Sequence, residues 1–241
     1  MSRALMTTAI AAALLTGGCS MFRSQPSTDH VAFEIRDNLL VVPATVGGEQ
    51  GDFILGTAQS HTTLDSRFPA ASRDTSRVAV VLGSRLRRET SVERAEMSSL
   101  ADGILGGSVF ANRTLGIDFR RGLITLSRER VPSEDTEMAR FEGIPTFPIS
   151  IEGTPFRGII DTTNPDTILL PESVFGSPGR RPISLRIGDL DLGTIDARIA
   201  PVSDIRIGNR LLARFFVSID YERGEISLWP FELPSRFREI P

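Results

Sequence analysis

The sequence predicts a mainly β protein made of two copies of one unit of about a hundred residues. Three observations predict it. Val46 to Thr57 (VGGEQGDFILGT) lies over Ile151 to Thr162 (IEGTPFRGIIDT): in each, a strand, a glycine-containing turn, a second apolar strand and a short polar loop. Gly106 to Leu126 lies over Gly208 to Leu228, with Ile117/Ile219, Asp118/Asp220, Gly122/Gly224 and Leu126/Leu228 coinciding. Between and beyond these, short apolar runs are separated by Gly, Pro, Asn and Asp, and few segments have a helical period. That spacing points to barrels or sandwiches rather than βαβ units. The two copies disagree at one informative place: Gly56 stands where the second copy has Asp161.

Taken in order, the chain starts with a cationic residue (Arg3), an apolar run from Ala9 to Leu15, and Thr16-Gly17-Gly18-Cys19. The run is too short to span a bilayer and has the layout of a secretory signal. Its small residues end at the only cysteine and resemble a bacterial lipoprotein signal, which makes residues 1–19 a signal segment and Cys19 the lipid-modified residue. Several acyl chains on one residue anchor firmly where one binds only marginally. Ser20 after the Cys favours, by the sorting rule of such lipoproteins, the outer membrane, so the expected location is the bacterial envelope, lipid-anchored and facing the periplasm. Residues 20–30 are polar and read as a tether.

The expected N-terminal lobe covers 31–130 and the C-terminal lobe 143–234, joined by a charged linker over 131–142 that lacks apolar alternation. Strands are expected at Leu39–Val46, Phe53–Leu55, Val78–Leu82, Leu115–Phe119 and Leu123–Leu126, and again at Phe147–Ile151, Ile159–Ile160, Ile183–Ile187, Phe215–Tyr221 and Ile226–Trp229. Gly47-Gly48 and Glu152-Gly153 sit where hairpin turns belong. Short helices are expected at Arg94–Leu100, Ser108–Arg113 and Arg210–Arg214.

Composition excludes several functions. At 40% hydrophobic and 24% charged residues the chain is an ordinary globular protein. The net charge is −3, about −4 without residues 1–18, which gives no basic footprint for nucleic acid. With Cys19 acylated no thiol remains, and His30 and His61 are too few for a His-rich metal site, so neither metal nor cofactor is expected.

The loop Asp161-Thr162-Thr163-Asn164-Pro165 followed by Thr167-Ile168-Leu169-Leu170, its counterpart Gly56-Thr57-Ala58-Gln59-Ser60, the elements Asp102-Gly103-Ile104-Leu105-Gly106 and Asp204-Ile205-Arg206-Ile207-Gly208, and the closing hairpins at Asp118 and Asp220 together resemble the retropepsin/pepsin family of aspartic peptidases. More closely, the chain is similar to the retropepsin-like group found among exported bacterial proteins, over roughly Val31 to Pro230. The resemblance implies a two-lobed acid-protease (pepsin-like) β-barrel fold. It also implies that Thr57 and Thr162 join the lobes by hydrogen bonds, that Gly56 and Asp161 occupy the two catalytic positions, and that flap hairpins lie at Val81-Leu82-Gly83-Ser84 and Ile187-Gly188-Asp189-Leu190.

The family's chemistry uses one carboxylate per lobe around a shared water, the pair sharing a proton because like charges so close cannot both ionise. Here Asp161 is the sole aligned carboxylate, and Ala58 and Thr163 replace the glycines that let the loops approach. General acid–base terms are each worth roughly 10²–10⁴ in rate. The expectation is therefore an envelope protein with a peptidase fold and impaired catalysis that holds a peptide or protein segment in the inter-lobe cleft. The alternatives are an active aspartic endopeptidase using Asp161 with a second carboxylate from dimerisation or an unaligned residue, and a structural lipoprotein without an open cleft. Asp118, Asp220, Asp102 and Asp204 read as turn or structural residues, Asp65 as a cap or solvent-facing residue, and His61 as a polar loop residue.

Overall fold

The computed structural model describes residues 28–72, 76–97, 100–129 and 137–231. The signal segment, Cys19 and most of the tether lie outside the described residues, as do positions 130–136 of the linker region. The first half contains β1 (Asp29–Ala32), β2 (Glu34–Arg36), β3 (Leu39–Val46), β4 (Glu49–Gly56), β5 (Thr62–Asp65), β6 (Arg77–Leu82), β7 (Leu86–Ala95), β8 (Gly103–Gly106), β9 (Thr114–Asp118) and β10 (Leu123–Ser127). The second contains β11 (Glu137–Arg140), β12 (Thr146–Ile151), β13 (Thr154–Ile160), β14 (Ile168–Pro171), α1 (Glu172–Phe175), β15 (Gly179–Ile187), β16 (Leu190–Ala200), β17 (Arg206–Ile207), α2 (Asn209–Leu212), β18 (Phe215–Asp220) and β19 (Glu225–Pro230).

The repeat in the sequence is a repeat in topology. In the second half, strands in the order β12-β13-β17-β14-β16-β15 close into a barrel. In the first half the order β3-β4-β8-β5-β7-β6 is the same, closed by the pairing of β3 with β6, with β2 added at the side of β3. A third sheet, β1-β10-β9-β18-β19-β11, takes half its strands from each copy. At its centre β9 and β18 run antiparallel, and Gly116 lies opposite Ser218, its own counterpart in the repeat. The pseudo-twofold axis passes between those two residues and makes the lobes one body.

Alternation fills the barrels. Leu40, Val42, Ala44 and Val46 of β3 point inward, as do Ile183, Leu185 and Ile187 of β15, while Arg180, Arg181 and Arg186 face water. The hairpin turns follow their glycines: Gly47-Gly48 at φ 62° and 91°, Glu152-Gly153 at φ 50° and 80°, the left-handed pair that a two-residue turn between twisted strands requires. Glu152 tolerates its position by accepting the Ser184 amide at 3.0 Å.

Three expectations change. Arg94 and Ala95 end strand β7 instead of starting a helix, because this segment pairs in parallel with Thr62–Asp65. The other two helices shrink to single turns, a 3-10 turn at Gly107–Phe110 and α2. The linker region carries a strand, β11, paired with Glu225–Leu228. Its sequence lacks apolar alternation because it is an edge strand with alternate residues exposed, held by backbone hydrogen bonds.

Gly208 has no room for a side chain: a Cβ would meet the backbone oxygen of Asp166 and that of Asn164 at 2.6 Å. Gly153 has a left-handed φ but nothing within 4 Å. Gly208→Ala is expected to destabilise the fold by about 3 kcal/mol through overpacking, and Gly153→Ala by about 1 kcal/mol through backbone strain alone, both read by urea unfolding. Acid sensitivity follows from the buried carboxylates. Burial raises the pKa of Asp166 and of Asp220, but arginine and backbone hydrogen bonds outweigh it and hold both below their usual value. A depressed folded pKa gives stability that is present above the unfolded value and lost as pH falls through the folded one. The unfolding free energy is therefore expected to be flat near neutrality and to drop below about pH 4.

Candidate functional site

The site forms where β4 and β13 end, side by side across the lobe junction. Thr57 Oγ1 donates to the Ile160 carbonyl at 2.6 Å, and Thr162 Oγ1 donates to the Leu55 carbonyl at 2.6 Å. In return the Thr57 amide donates to Thr162 Oγ1 at 3.1 Å and the Thr162 amide to Thr57 Oγ1 at 3.2 Å. Both threonines are essentially inaccessible. Since each hydroxyl spans the residue next to the partner's loop, Gly56 and Asp161 are brought opposite each other.

Asp161 is 2% exposed, and both its oxygens are engaged. Oδ1 accepts the Thr163 amide at 2.9 Å and the Thr163 hydroxyl at 2.6 Å. Oδ2 accepts Arg206 Nη1 at 2.9 Å, an ion pair whose guanidinium is one-third exposed. Thr163, expected to crowd the junction where the family has glycine, turns its hydroxyl to the carboxylate. Arg206 was not among the residues singled out from sequence. Its β17 runs parallel to β13 with Arg206 beside Ile159, which carries it to the face from which Asp161 projects.

The first lobe has the same scaffold with different occupants. β8 runs parallel to β4, and Ile104 holds the position of Arg206. A Cβ on Gly56 would lie 2.5 Å from Ile104 Cγ2 and 3.3 Å from the Leu105 carbonyl oxygen. So aspartate faces arginine in one copy, and glycine faces isoleucine in the other. The signal was visible in the mismatch of Asp102-Gly-Ile-Leu-Gly106 with Asp204-Ile-Arg-Ile-Gly208. Outside the first barrel, Val41, Ile54 and Ala101 pack with Leu39, Met97, Leu100 and Ile104 in an apolar cluster separate from the main core.

Polar neighbours fix the second loop. Asn164 Nδ2 donates to the Arg206 carbonyl at 3.1 Å, and its Oδ1 accepts the Asp166 amide at 3.0 Å. Asn209 Nδ2 donates to the Thr162 carbonyl at 2.8 Å and, across the junction, to the Asn38 carbonyl at 2.7 Å. Asp166 pairs with Arg180 and Arg198. Its counterpart His61 pairs with Glu93 at 3.0 Å. Asp65, expected as a cap or solvent-facing, is buried. It accepts the Arg67 and Met97 amides and pairs with the Arg67 side chain, which depresses its pKa. Asp118 and Asp220 each accept two amides of their own turns. Asp102 accepts the Asp52 amide at 2.9 Å.

The hairpin turns expected as flaps are both tied to strands of the shared sheet. The Gly83-Ser84 turn joins β6 to β7 and follows Val80 and Val81, which pair with Val46 and Thr45. The Gly188-Asp189 turn joins β15 to β16 and follows Leu185, Arg186 and Ile187, which pair with Ile151, Ser150 and Ile149. Carboxylates of the shared sheet hold both: Asp29 accepts the Ser84 and Arg85 amides, and Glu137 accepts the Asp189 amide. From Pro171, where β14 ends, the chain reaches Gly179 through α1 alone, with no hairpin on the way. Among the described residues no group of three or more His, Cys, Asp or Glu is placed to hold a metal ion.

Arg206→Met strands a buried carboxylate and is expected to cost about 2–4 kcal/mol, discounted for the exposed part of the guanidinium. In the background of Asp161→Asn the same change is expected to cost under about 1 kcal/mol. Equal costs in the two backgrounds, measured by chemical unfolding, would show the pair to be uncoupled.

No family model matches the chain, and no curated protein matches it. Among solved structures, the chain is similar to an aspartic proteinase from Irpex lacteus at a TM-score of 0.62 and 14% sequence identity, over 84% of this chain and 97% of that one. At that identity the likeness speaks to architecture. The chain has the two-lobed, pepsin-like aspartic proteinase fold.

Proposed function

We propose that this protein is a lipid-anchored component of the bacterial envelope, placed at the periplasmic face of the outer membrane through Cys19. There it uses the pepsin-like fold to hold a peptide or protein segment without cutting it. The observation that carries the reading is the occupancy of the two facing positions. Hydrolysis by this fold needs an ionised and a protonated carboxylate around one water. Here one position is Gly56, backed by Ile104. The other is Asp161, whose oxygens are committed to Thr163 and Arg206. Arginine stays protonated at any working pH, so it neutralises Asp161 without supplying the missing acid. Binding needs less. An extended segment can lie across the junction with apolar side chains against Leu39, Met97, Leu100 and Ile104 and its backbone paired to strand edges. A dyad built from two Asp161 lobes in trans would have to open the Thr57–Thr162 junction and the Arg206 pair, against the high effective concentration of the tethered lobe.

The full chain incubated with a mixed peptide library from about pH 3 to pH 7 is expected to release no product by mass spectrometry, and Asp161→Asn is expected to look the same. Gly56→Asp is expected to stay inactive too, because its side chain meets Ile104 and its partner carboxylate remains paired. Cleavage by the natural chain that disappears in Asp161→Asn would overturn the proposal. Retention of apolar peptides by the immobilised chain, reduced by Leu39→Asp, is the positive readout.

A further inference from the structure

A second site lies away from the lobe junction, on the side of the first barrel where β7 meets the β9–β10 hairpin. A pocket of about 400 Å³ has Leu86, Val109 and Ala111 among its lining, with Arg88, Arg113 and Arg128 around them. An adjoining pocket of about 240 Å³ shares Leu86, Arg113 and Arg128, so the depression continues past them. Leu86 and Val109 are buried; Arg88 and Arg113 are half-buried and Arg128 is exposed.

Three guanidiniums at one pocket repel one another unless something neutralises them. Among the described residues no carboxylate pairs with them. Arg88 donates to the Ala111 carbonyl at 2.8 Å and Arg113 to the Asn112 carbonyl at 3.5 Å, both neutral acceptors. Among the described residues, none of Arg88, Arg113 and Arg128 has a carboxylate within 4.0 Å. Asp29 lines the adjoining pocket, but its oxygens are taken by the Ser84 and Arg85 amides and the Ser84 hydroxyl. Glu222 is the one carboxylate on the main pocket, and exposed Arg87 adds a fourth positive charge there. Burial, with the fields of Arg128 and Arg88 beside it, pushes the pKa of Arg113 down. Among the described residues the remaining guanidinium N–H groups have no further acceptor. Planar donors of this kind match the tetrahedral oxygens of a phosphoryl group in bidentate fashion. A dianion relieves the mutual repulsion of three cations better than a monocarboxylate does.

We propose that the pocket formed by Arg88, Arg113 and Arg128 binds a phosphoryl group, carried by a small phosphorylated molecule or by an anionic lipid headgroup, with its apolar part against Leu86, Val109 and Ala111. The site stands apart from the reading of the lobe junction, and either survives the failure of the other.

Calorimetric titration of the full chain with inorganic phosphate and pyrophosphate at low salt, beside flotation with phosphatidylglycerol and with phosphatidylcholine vesicles, tests this and separates the sources. Pyrophosphate is expected to bind more tightly than phosphate, and Arg113→Gln and Arg128→Gln each to weaken binding on the order of tenfold. Arg210→Gln, an exposed site on the second lobe, is expected to change nothing. Flotation with phosphatidylglycerol only, lost in Arg113→Gln, assigns the ligand to a lipid headgroup; binding of the free anions without flotation assigns it to a soluble phosphate. Without ligand Arg113→Gln is expected to melt above the natural chain, because it removes repulsion, whereas a structural arginine would melt lower. Absence of both anion binding and selective flotation overturns the proposal, as does equal loss in Arg210→Gln.

Discussion

Two threonine hydroxyls set the geometry at the middle of this molecule. Each reaches into the other lobe, donates to a carbonyl there and accepts an amide in return. The groups are buried, so each hydrogen bond is worth about 1 kcal/mol net, while an orphaned partner would cost about 1–3 kcal/mol. That asymmetry makes the junction close to all-or-none. It also fixes what faces what: residues 56 and 161 sit between the bonded positions, so the lobes must present them to each other. The shared sheet supplies the second anchor, with β9 and β18 paired through residues that are counterparts in the repeat. Gly106 and Gly208, each passing against the backbone of the loop residue His61 or Asp166, let both loops seat against their own barrels.

Within that frame the two copies solve the same local problem differently. A carboxylate at 161 is almost wholly out of water, and an uncompensated charge there would be costly. Arg206 and Thr163 provide the compensation, and Asn164 holds the Arg206 backbone in place. In the first copy the facing position has no charge to satisfy, so an aliphatic side chain from the equivalent strand fills the space over Gly56. Aspartate with arginine and glycine with isoleucine are each internally consistent. Mixed pairs are not: aspartate beneath Ile104 would be crowded and unpaired, and Arg206 over a glycine would lose its partner.

The repeat made much of the architecture legible. Wherever a strand alternates and ends in a glycine turn, as at Val46–Thr57 and Ile151–Thr162, the sequence signal and the barrel strand coincide, because the alternation is the burial pattern. The signal failed where strands are held by backbone pairing more than by an apolar face. β11 reads as linker and β7, rich in arginine, reads in part as helix, since their outward residues face water. At the site, the Thr57–Thr162 exchange and the Asp161 position were readable from the family resemblance. Arg206 was not, because it reaches Asp161 through parallel pairing of β17 with β13, a contact between segments 45 residues apart. Gly83 and Gly188 have the local chemistry of hairpin turns, and only the long-range bonds from Asp29 and Glu137 reveal that both turns are tied to the shared sheet.

The polar residues around the junction divide by what they do for the fold. Thr57, Thr162, Asn164 and Asn209 satisfy backbone groups at the junction, and Asn209 ties the second loop to the Asn38 turn of the other lobe. Replacing any of them would leave buried donors or acceptors without partners. Position 56 is different. Glycine carries no side chain there, and the cross-lobe hydrogen bonds are all made by the neighbouring Thr57 and Thr162, so the junction forms without one. The fold therefore persists independently of the carboxylate pair: the threonine exchange, the shared sheet and the two closed barrels are complete without it. On the reading proposed above, that separability is what lets one scaffold serve either to cut a peptide or to hold one. The identity of two facing residues, with the neighbours that neutralise or fill the space beside them, then decides between the two.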